Sequence, residues 1–170
     1  NMDGYQNSVR AVMRAAGARR LRGILGPVST ILKVEPGCEV AIETALGGAL
    51  QNIVVENEAA AKAAIALLRN DHAGRATFLP LDTVQPGVFR GRLSGTARLA
   101  SALVQADPRY ENIVSNLLGR IIVVEDINEA SRVARDNGYH NKVVTMDGQV
   151  INAGGSFTGG SVQRSAGPVS

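Results

Sequence analysis

The sequence contains no tryptophan, and aromatic residues make up only 4% of it. Because 45% of the residues are hydrophobic, the chain can still bury a core, which excludes wholesale disorder. That core must be aliphatic, built from Ala, Val, Ile and Leu. At 170 residues, the chain has room for one domain or for two small lobes that share a core.

Long apolar runs and secretory features are also missing. The longest runs, such as 121–124, fall far short of the roughly 20 residues that a membrane-spanning helix needs. No basic, apolar and cleavage-site pattern of a signal peptide is found near the N-terminus. The single cysteine, Cys38, cannot form an internal disulfide, which fits a reducing compartment. We therefore expect a cytoplasmic location and no membrane partner.

Residues that could carry catalysis or hold a metal are scarce. His72 and His140 each lie in a turn rich in Gly, Asn or Asp, where an exposed side chain is the usual outcome. Metal sites need several His, Cys or carboxylate ligands at fixed spacing, and this sequence offers no such spacing. It also lacks the G-x-S-x-G motif of a nucleophile elbow. We predict no catalytic residue, no metal, no cofactor and no small-molecule substrate.

Basic residues are unevenly distributed in a chain of net charge +3. Residues 1–34 contain six basic residues and one acid, whereas residues 35–58 contain five glutamates and no base. Nearly all the basic residues are arginines, which grip phosphate in a planar fork. We predict contacts with a polyanion, with a solvated polar face as the alternative, for five arginines: Arg10, Arg14, Arg19, Arg20 and Arg22. The next candidates are Arg90, Arg92 and Arg98.

The hydrophobic pattern predicts alternating helices and strands. Helical spacing of apolar residues favours a helix at 5–16 that Gly17 caps. A second helix should begin at Pro36, and the β-branched run 53–55 is typical of a strand buried on both faces. Asn57 then caps an Ala-rich helix. Gly26-Pro27 and Pro80 are expected to end two further strands.

The sequence also contains an internal repeat. Pro36, Glu39 and Leu46-Gly47 recur 72 residues later, as Pro108, Glu111 and Leu118-Gly119. The run 53–56 recurs as 122–125, and Asp126 to Glu129 forms a capping box that opens the next helix. A strand at 143–146 and a tight hairpin at Asp147-Gly148 should follow. We predict lobe one at about 21–82, a connector at 83–106 and lobe two at about 107–162.

A glycine-rich segment, 154–160, follows the predicted hairpin. Gly154 and Gly159 have the spacing of a phosphate-binding loop, but Gly160 stands where that loop needs a lysine. Glycines let two backbones approach closely or adopt positive φ, and Phe157 with Thr158 argues against a plain linker. The segment therefore favours packing against another backbone, including that of a second chain. A small nucleotide-binding α/β enzyme that uses 154–160 remains the alternative.

Several motifs, in order, resemble the hinge domain of structural maintenance of chromosomes (SMC) proteins. They are 23–28, 41–55, 74–82, 143–148 and 154–161, and the resemblance covers roughly residues 20–162. The Gly-Gly-Ser-Phe-Thr-Gly-Gly form of the last motif is similar to that of bacterial members, as in the chromosome condensin.

The resemblance implies an α+β domain of two similar helix-strand-helix-strand lobes that pairs as a homodimer. The hinge would span 21–162, with 1–20 and 163–170 as the roots of two coiled-coil arms that leave on one side, so that the first helix lies near Val162. The glycine-rich segment would contribute to the dimer interface through Gly154, Gly155, Phe157, Thr158, Gly159 and Gly160. The family further implies a non-catalytic hinge that serves chromosome condensation and segregation at the nucleoid, with ATP hydrolysis in distant head domains. It also implies auxiliary, sequence-independent DNA binding, for which the five N-terminal arginines are the candidate contacts.

Overall fold

The computed structural model describes residues 4–161 of the chain. Its strands form a three-stranded sheet, a five-stranded sheet and a two-stranded ribbon, and helices pack against the sheets. The predicted α+β class is therefore confirmed. Val162 and the predicted arm root at 163–170 lie outside the described residues.

The N-terminal helix and lobe one make up the first part of the fold. Their elements are α1 (Asn7–Gly17), β1 (Ile24–Pro27), α2 (Val28–Ile31), β2 (Lys33–Val34), α3 (Glu39–Leu46), a 3₁₀ helix at Gly47–Gln51, β3 (Ile53–Val55), α4 (Glu58–Asn70) and β4 (Phe78–Pro80). The sheet of lobe one has the order β1-β3-β4, in which β1 is antiparallel and β4 parallel to β3. The side chain of Asn57 accepts a hydrogen bond from the Ala60 amide at 2.9 Å, so the predicted cap of α4 is confirmed.

The second part of the chain follows the same order. Its elements are β5 (Arg98–Leu99), a 3₁₀ helix at Ala100–Leu103, β6 (Val104–Gln105), a 3₁₀ helix at Pro108–Tyr110, α5 (Glu111–Leu118), β7 (Ile122–Val124), α6 (Ile127–Asp136), β8 (Val143–Thr145), β9 (Val150–Ile151) and β10 (Phe157–Thr158). The sheet order is β10-β9-β8-β7-β5, with β8 parallel and β5 antiparallel to β7. The predicted repeat is confirmed, because α5-β7-α6-β8 repeats α3-β3-α4-β4.

The repeat extends into the segment predicted as a connector. The Val28 amide donates to the Asn52 carbonyl at 2.9 Å, and the Ala100 amide donates to the Ile121 carbonyl at 2.8 Å. The donors lie 72 residues apart and the acceptors 69 apart, as in the sequence repeat. The β2 strand of one copy pairs antiparallel with the β6 strand of the other. The second copy therefore begins at β5, and the two copies are joined at this ribbon.

The largest hydrophobic core belongs to both copies at once. It combines residues such as Ile42 and Val54 of lobe one with Ile113 and Val123 of lobe two. A second cluster lies between α1, α4 and the sheet of lobe one, and a third lies between α6 and the sheet of lobe two. The β-branched runs of β3 and β7 are fully buried, as the sequence predicts for strands covered on both faces.

Two predicted helix boundaries are wrong. Gly17 does not cap α1 but is its last residue, and the residue that turns the chain at positive φ is Arg19, with φ of 62°. Pro36 does not open α3, because it lies with Gly37 in a turn and the helix begins at Glu39. The strands β1 and β4 end at Pro27 and Pro80, as predicted, and both prolines are part of the strand. An edge position tolerates proline because the missing N–H faces away from the sheet.

Candidate functional site

The glycine-rich segment forms the outer edge of the larger sheet. After the hairpin at Asp147-Gly148, where Gly148 has φ of 89°, the chain runs through β9 and turns back as β10. Within residues 4–161, β10 pairs only with β9, so its second side carries no strand. Phe157 on β10 is 60% exposed. This edge, defined as residues 154–160 and called the β10 edge, therefore presents both free backbone and an exposed aromatic ring.

The glycines of the β10 edge are required for two different reasons. Gly154, Gly155 and Gly160 have φ of +93°, +103° and +130°, in the region that side chains rarely adopt. Gly159 lacks positive φ, but an added Cβ would lie 2.2 Å from the Gln149 Oε1. A side chain at any of the four positions would thus strain or displace the edge.

Two side chains outside the glycine-rich segment fix its course. The Gln149 side chain forms two hydrogen bonds with the backbone of Gly160: its Oε1 accepts from the Gly160 amide at 2.8 Å, and its Nε2 donates to the Gly160 carbonyl at 3.0 Å. Asn152 donates to the Thr158 hydroxyl at 3.1 Å and to the Ser156 hydroxyl at 3.1 Å. No sequence motif marks Gln149 or Asn152, so sequence reasoning missed both.

Lys142 lies beside the β10 edge and was also missed. It lines a cavity of about 330 Å³ together with Gly159, Gly160 and Thr44. Its ammonium donates to the Ala45 carbonyl at 3.0 Å, at the C-terminal end of α3, where a positive charge is favourable. Burial lowers the pKa of the Lys142 ammonium. The Lys142 ammonium therefore stabilises the C-terminal end of α3, next to the β10 edge.

The nucleotide-binding alternative has no support in this geometry. A phosphate-binding loop passes from a strand into the N-terminus of a helix, which holds the anion. Residues 154–160 instead pass from strand β9 into strand β10. The nearby Lys142 does not supply the missing lysine, since its ammonium is bound to backbone carbonyls of α3.

The structure brings together three of the five arginines predicted to contact DNA. Arg19, Arg20 and Arg22 line a groove of about 430 Å³ at the N-terminal end of α4, together with the acid Glu56. Arg20 pairs with Asp71 at 3.6 Å on the surface. Arg10 and Arg14 lie one turn apart on α1 and do not line that groove. We call the five residues the N-terminal arginine cluster.

Side chains capable of catalysis lie apart from one another. His72 and His140 occupy equivalent turns after α4 and α6, each with its amide bonded to the end of the preceding helix. Cys38 is 2% exposed, and burial together with a hydrogen bond to Glu35 raises the pKa of its thiol. Across residues 4–161, no three His, Cys, Asp or Glu side chains are grouped to hold a metal. No helix in that range is long and apolar enough to cross a membrane.

The sequence of the chain is similar to the sequences of bacterial chromosome partition proteins. The chain is 37% identical over 171 residues to the chromosome partition protein Smc of Bacillus subtilis (strain 168), covering 96% of this chain and 14% of that protein. The corresponding protein of Desulfitobacterium hafniense (strain Y51) is 39% identical over 171 residues, with the same two coverages. The chain therefore spans a small part of the length of these relatives.

Solved structures share the fold. An asymmetric dimer of the Geobacillus stearothermophilus SMC hinge domain matches with a TM-score of 0.88 and 38% identity, over 95% of this chain and 68% of that one. The Pyrococcus furiosus Smc hinge domain with an extended coiled coil matches with a TM-score of 0.79 and 29% identity, over 92% and 57%. The family model of the SMC proteins flexible hinge domain matches residues 21–134, which is more than half of the chain. The resemblance inferred from the motifs is thus confirmed, and the chain belongs to the SMC hinge domain family.

Proposed function

We propose that this chain is the dimerisation hinge of a bacterial Smc chromosome partition protein and joins two coiled-coil arms. The β10 edge is the observation that carries the proposal. An unpaired strand edge is a template for pairing with another chain, and natural proteins cover such edges or use them for assembly. A related hinge from Geobacillus stearothermophilus is described as a dimer, which supports a second copy as the occupant.

The internal repeat indicates which surface of the second copy receives the β10 edge. In lobe two, the outer side of β8 is covered by β9, but in lobe one the equivalent strand β4 is the last of its sheet. Phe78 and Pro80 of β4 are only half-buried. We infer that β10 of one copy pairs with β4 of the other. Under two-fold symmetry this contact occurs twice and closes a ring, so neither β10 nor β4 of either copy remains free to recruit a third copy.

The hinge itself is non-catalytic in this proposal. Its role is to hold two subunits together at the ends of their arms while the full-length protein condenses and segregates the chromosome, in the cytoplasm at the nucleoid. ATP hydrolysis would belong to head domains elsewhere in that longer protein.

The proposal predicts that Phe157→Asp weakens the dimer. Phe157 is exposed in the single chain, so removing it costs little there, whereas its burial in a dimer is worth about 2 kcal/mol for each copy. We expect the dissociation constant, measured by sedimentation equilibrium, to rise by at least about tenfold. Val88→Asp is the matched control, because Val88 is 58% exposed and belongs to the segment before lobe two, not to the β10 edge. Equal dissociation constants for the two variants would contradict the proposal.

We propose auxiliary DNA binding through the N-terminal arginine cluster. Within residues 4–161, Arg20 forms an ion pair, whereas Arg19 and Arg22 form none, so their guanidinium groups are available to phosphate. Phosphate contacts carry no sequence information, so binding should be weak, independent of sequence and strongly dependent on salt.

Reversing the charge of three arginines in the N-terminal arginine cluster tests the proposed DNA binding. The variant Arg19→Glu, Arg20→Glu, Arg22→Glu should weaken binding to a labelled duplex at low salt and flatten the dependence of log affinity on log salt by about three. Fluorescence anisotropy measures both, and sedimentation should show that the dimer survives. An unchanged salt slope would place the DNA contacts elsewhere.

A further inference from the structure

We propose that lobe two carries a separate phosphate-binding groove that holds a nucleic-acid backbone. The groove has a volume of about 500 Å³ and is called the lobe-two groove. Its lining residues come from the connector, from the end of α5 and from the turn after α6: Val88, Arg90, Gly91, Arg92, Arg120, Asp136, Asn137, His140 and Asn141. The inference rests on the proposed DNA contact of the hinge, but not on the N-terminal arginine cluster or on dimerisation.

The loop that carries two of the arginines is fixed to the end of α6 by Asn137. The Oδ1 of Asn137 accepts from the Arg92 amide at 2.7 Å, and its Nδ2 donates to the Arg92 carbonyl at 3.1 Å. The same amide donates to the Val133 carbonyl at 2.9 Å, and the Asn137 side chain is buried. A Cβ on Gly91 would lie 2.1 Å from the Asn137 Oδ1, so the close approach requires glycine.

Two further hydrogen bonds hold the chain that leads into this loop. The Ser115 hydroxyl donates to the Gly87 carbonyl at 2.7 Å, and the Asn116 amide donates to the Gln85 carbonyl at 2.9 Å. The segment 85–92 is therefore bound along its length to α5 and α6, although it contains no helix or strand. A backbone fixed in this way pre-positions the arginine side chains and reduces the entropy lost on binding.

The charge in the groove is not neutralised by the chain itself. Among the described residues, none of Arg90, Arg92 and Arg120 forms an ion pair. The single acid of the groove, Asp136, pairs with Arg132 at 3.6 Å. By contrast, Arg98 pairs with Glu35 at 3.4 Å. Three arginines and His140 thus line one groove, in which Arg120 also donates to the Asn116 carbonyl at 3.5 Å and the one described carboxylate is paired with Arg132.

The chemistry of the lining selects a phosphodiester backbone. Arginine binds phosphate oxygens in a bidentate fork. Asn141 also lines the groove, and its side-chain amide donates to the Arg120 carbonyl at 2.9 Å. Among the described lining residues there is no Phe, Tyr or Trp, and His140 contributes one small ring, so the groove lacks the row of aromatic rings on which successive bases stack. The groove should accordingly bind double-stranded nucleic acid through its backbone and without sequence preference.

The test compares two double variants by fluorescence anisotropy with a short labelled duplex. Arg90→Gln with Arg92→Gln should weaken binding at low salt by at least about tenfold and reduce the salt slope by about two. Arg109→Gln with Arg135→Gln is the matched control, because both residues are exposed, lie in lobe two outside the groove and remove the same charge. The control should bind within about twofold of the unmodified chain. Arg90→Lys with Arg92→Lys keeps the charge but loses the planar fork, so it should bind more tightly than the glutamine variant and more weakly than the unmodified chain, with an unchanged salt slope.

Each outcome decides the inference. If the groove variant and the control weaken DNA binding equally, the effect comes from net charge alone, and the inference is overturned. An unaffected groove variant would overturn it even if reversal of Arg19, Arg20 and Arg22 abolished binding, which would leave the proposed hinge function intact. Competition by free ATP or pyrophosphate at micromolar concentration would identify a small-anion site and overturn the assignment to a nucleic-acid backbone. No binding of the unmodified chain to any duplex would remove both DNA proposals while leaving the dimer.

Discussion

Changing Gly154, Gly155, Gly159 and Gly160 together to alanine is expected to convert the dimer into a folded monomer. Three of these glycines have positive φ, where a methyl group costs on the order of 1 kcal/mol each. At Gly159 the methyl group would displace the Gln149 side chain that holds Gly160. The β10 edge can escape this strain in a single chain, because it lies at the margin of the sheet and can leave its native backbone path.

A dimer removes that escape, since the partner's strand requires the native backbone path of β10. The dimer contains eight substituted positions, four in each copy. Their strain, together with the steric exclusion of the facing backbone, should exceed a dimer affinity of about 8 to 12 kcal/mol. Sedimentation velocity should show a monomer at low micromolar concentration, and circular dichroism should show unchanged secondary structure. A variant that is still dimeric would sink the interface assignment, and global unfolding would mean that the glycines serve the fold instead.

Two single substitutions separate the backbone strain of an added methyl group from its effect on the affinity of the dimer. Gly37 and Gly154 have similar φ, +88° and +93°, and within residues 4–161 no other atom lies within 4 Å of a Cβ added at either position. Gly37→Ala and Gly154→Ala should therefore cause similar strain in the native backbone path, on the order of 1 kcal/mol, which is also the most that either should cost the single chain. Only Gly154→Ala should also weaken the dimer.

Sequence reasoning succeeded where a local pattern determines local structure. The β-branched runs at 53–55 and 122–124 predict buried strands without reference to the rest of the chain. Capping works in the same way: Asp126 accepts from the Glu129 amide at 2.9 Å, as its capping box predicts. The glycine-rich segment was recognisable because four glycines in seven residues require a special backbone.

The parts that sequence reasoning missed depend on contacts between distant segments. Strands β2 and β6 have two residues each, too few for any periodicity, and they form because the two copies of the repeat meet there. The loop at 90–92 is held by Asn137, which lies 45 residues away from Arg92 in the chain. Gln149 and Lys142 likewise gain their roles only in the folded chain: Gln149 bonds Gly160 once β9 pairs with β10, and Lys142 bonds α3 once β8 packs beside that helix.

Leu103→Ala is expected to destabilise the whole chain by about 2 to 5 kcal/mol. Leu103 lies between the two copies of the repeat and is 2% exposed, within the core that both copies share. Its carbonyl also accepts from the Glu35 amide at 2.8 Å, which ties the ribbon to lobe one. Truncation leaves a cavity among rigid neighbours, since a shared interior cannot collapse from one side alone.

The shared core also determines the shape of the unfolding curve. Because neither copy has a complete interior without the other, the variant should unfold in one transition at a lower denaturant midpoint with an unchanged slope. Leu93→Ala is the control, since Leu93 is 43% exposed and should change stability by no more than about 0.5 kcal/mol. Urea unfolding followed by circular dichroism measures both variants. Two separate transitions, or a loss no larger than that of the control, would show that the lobes are stabilised independently.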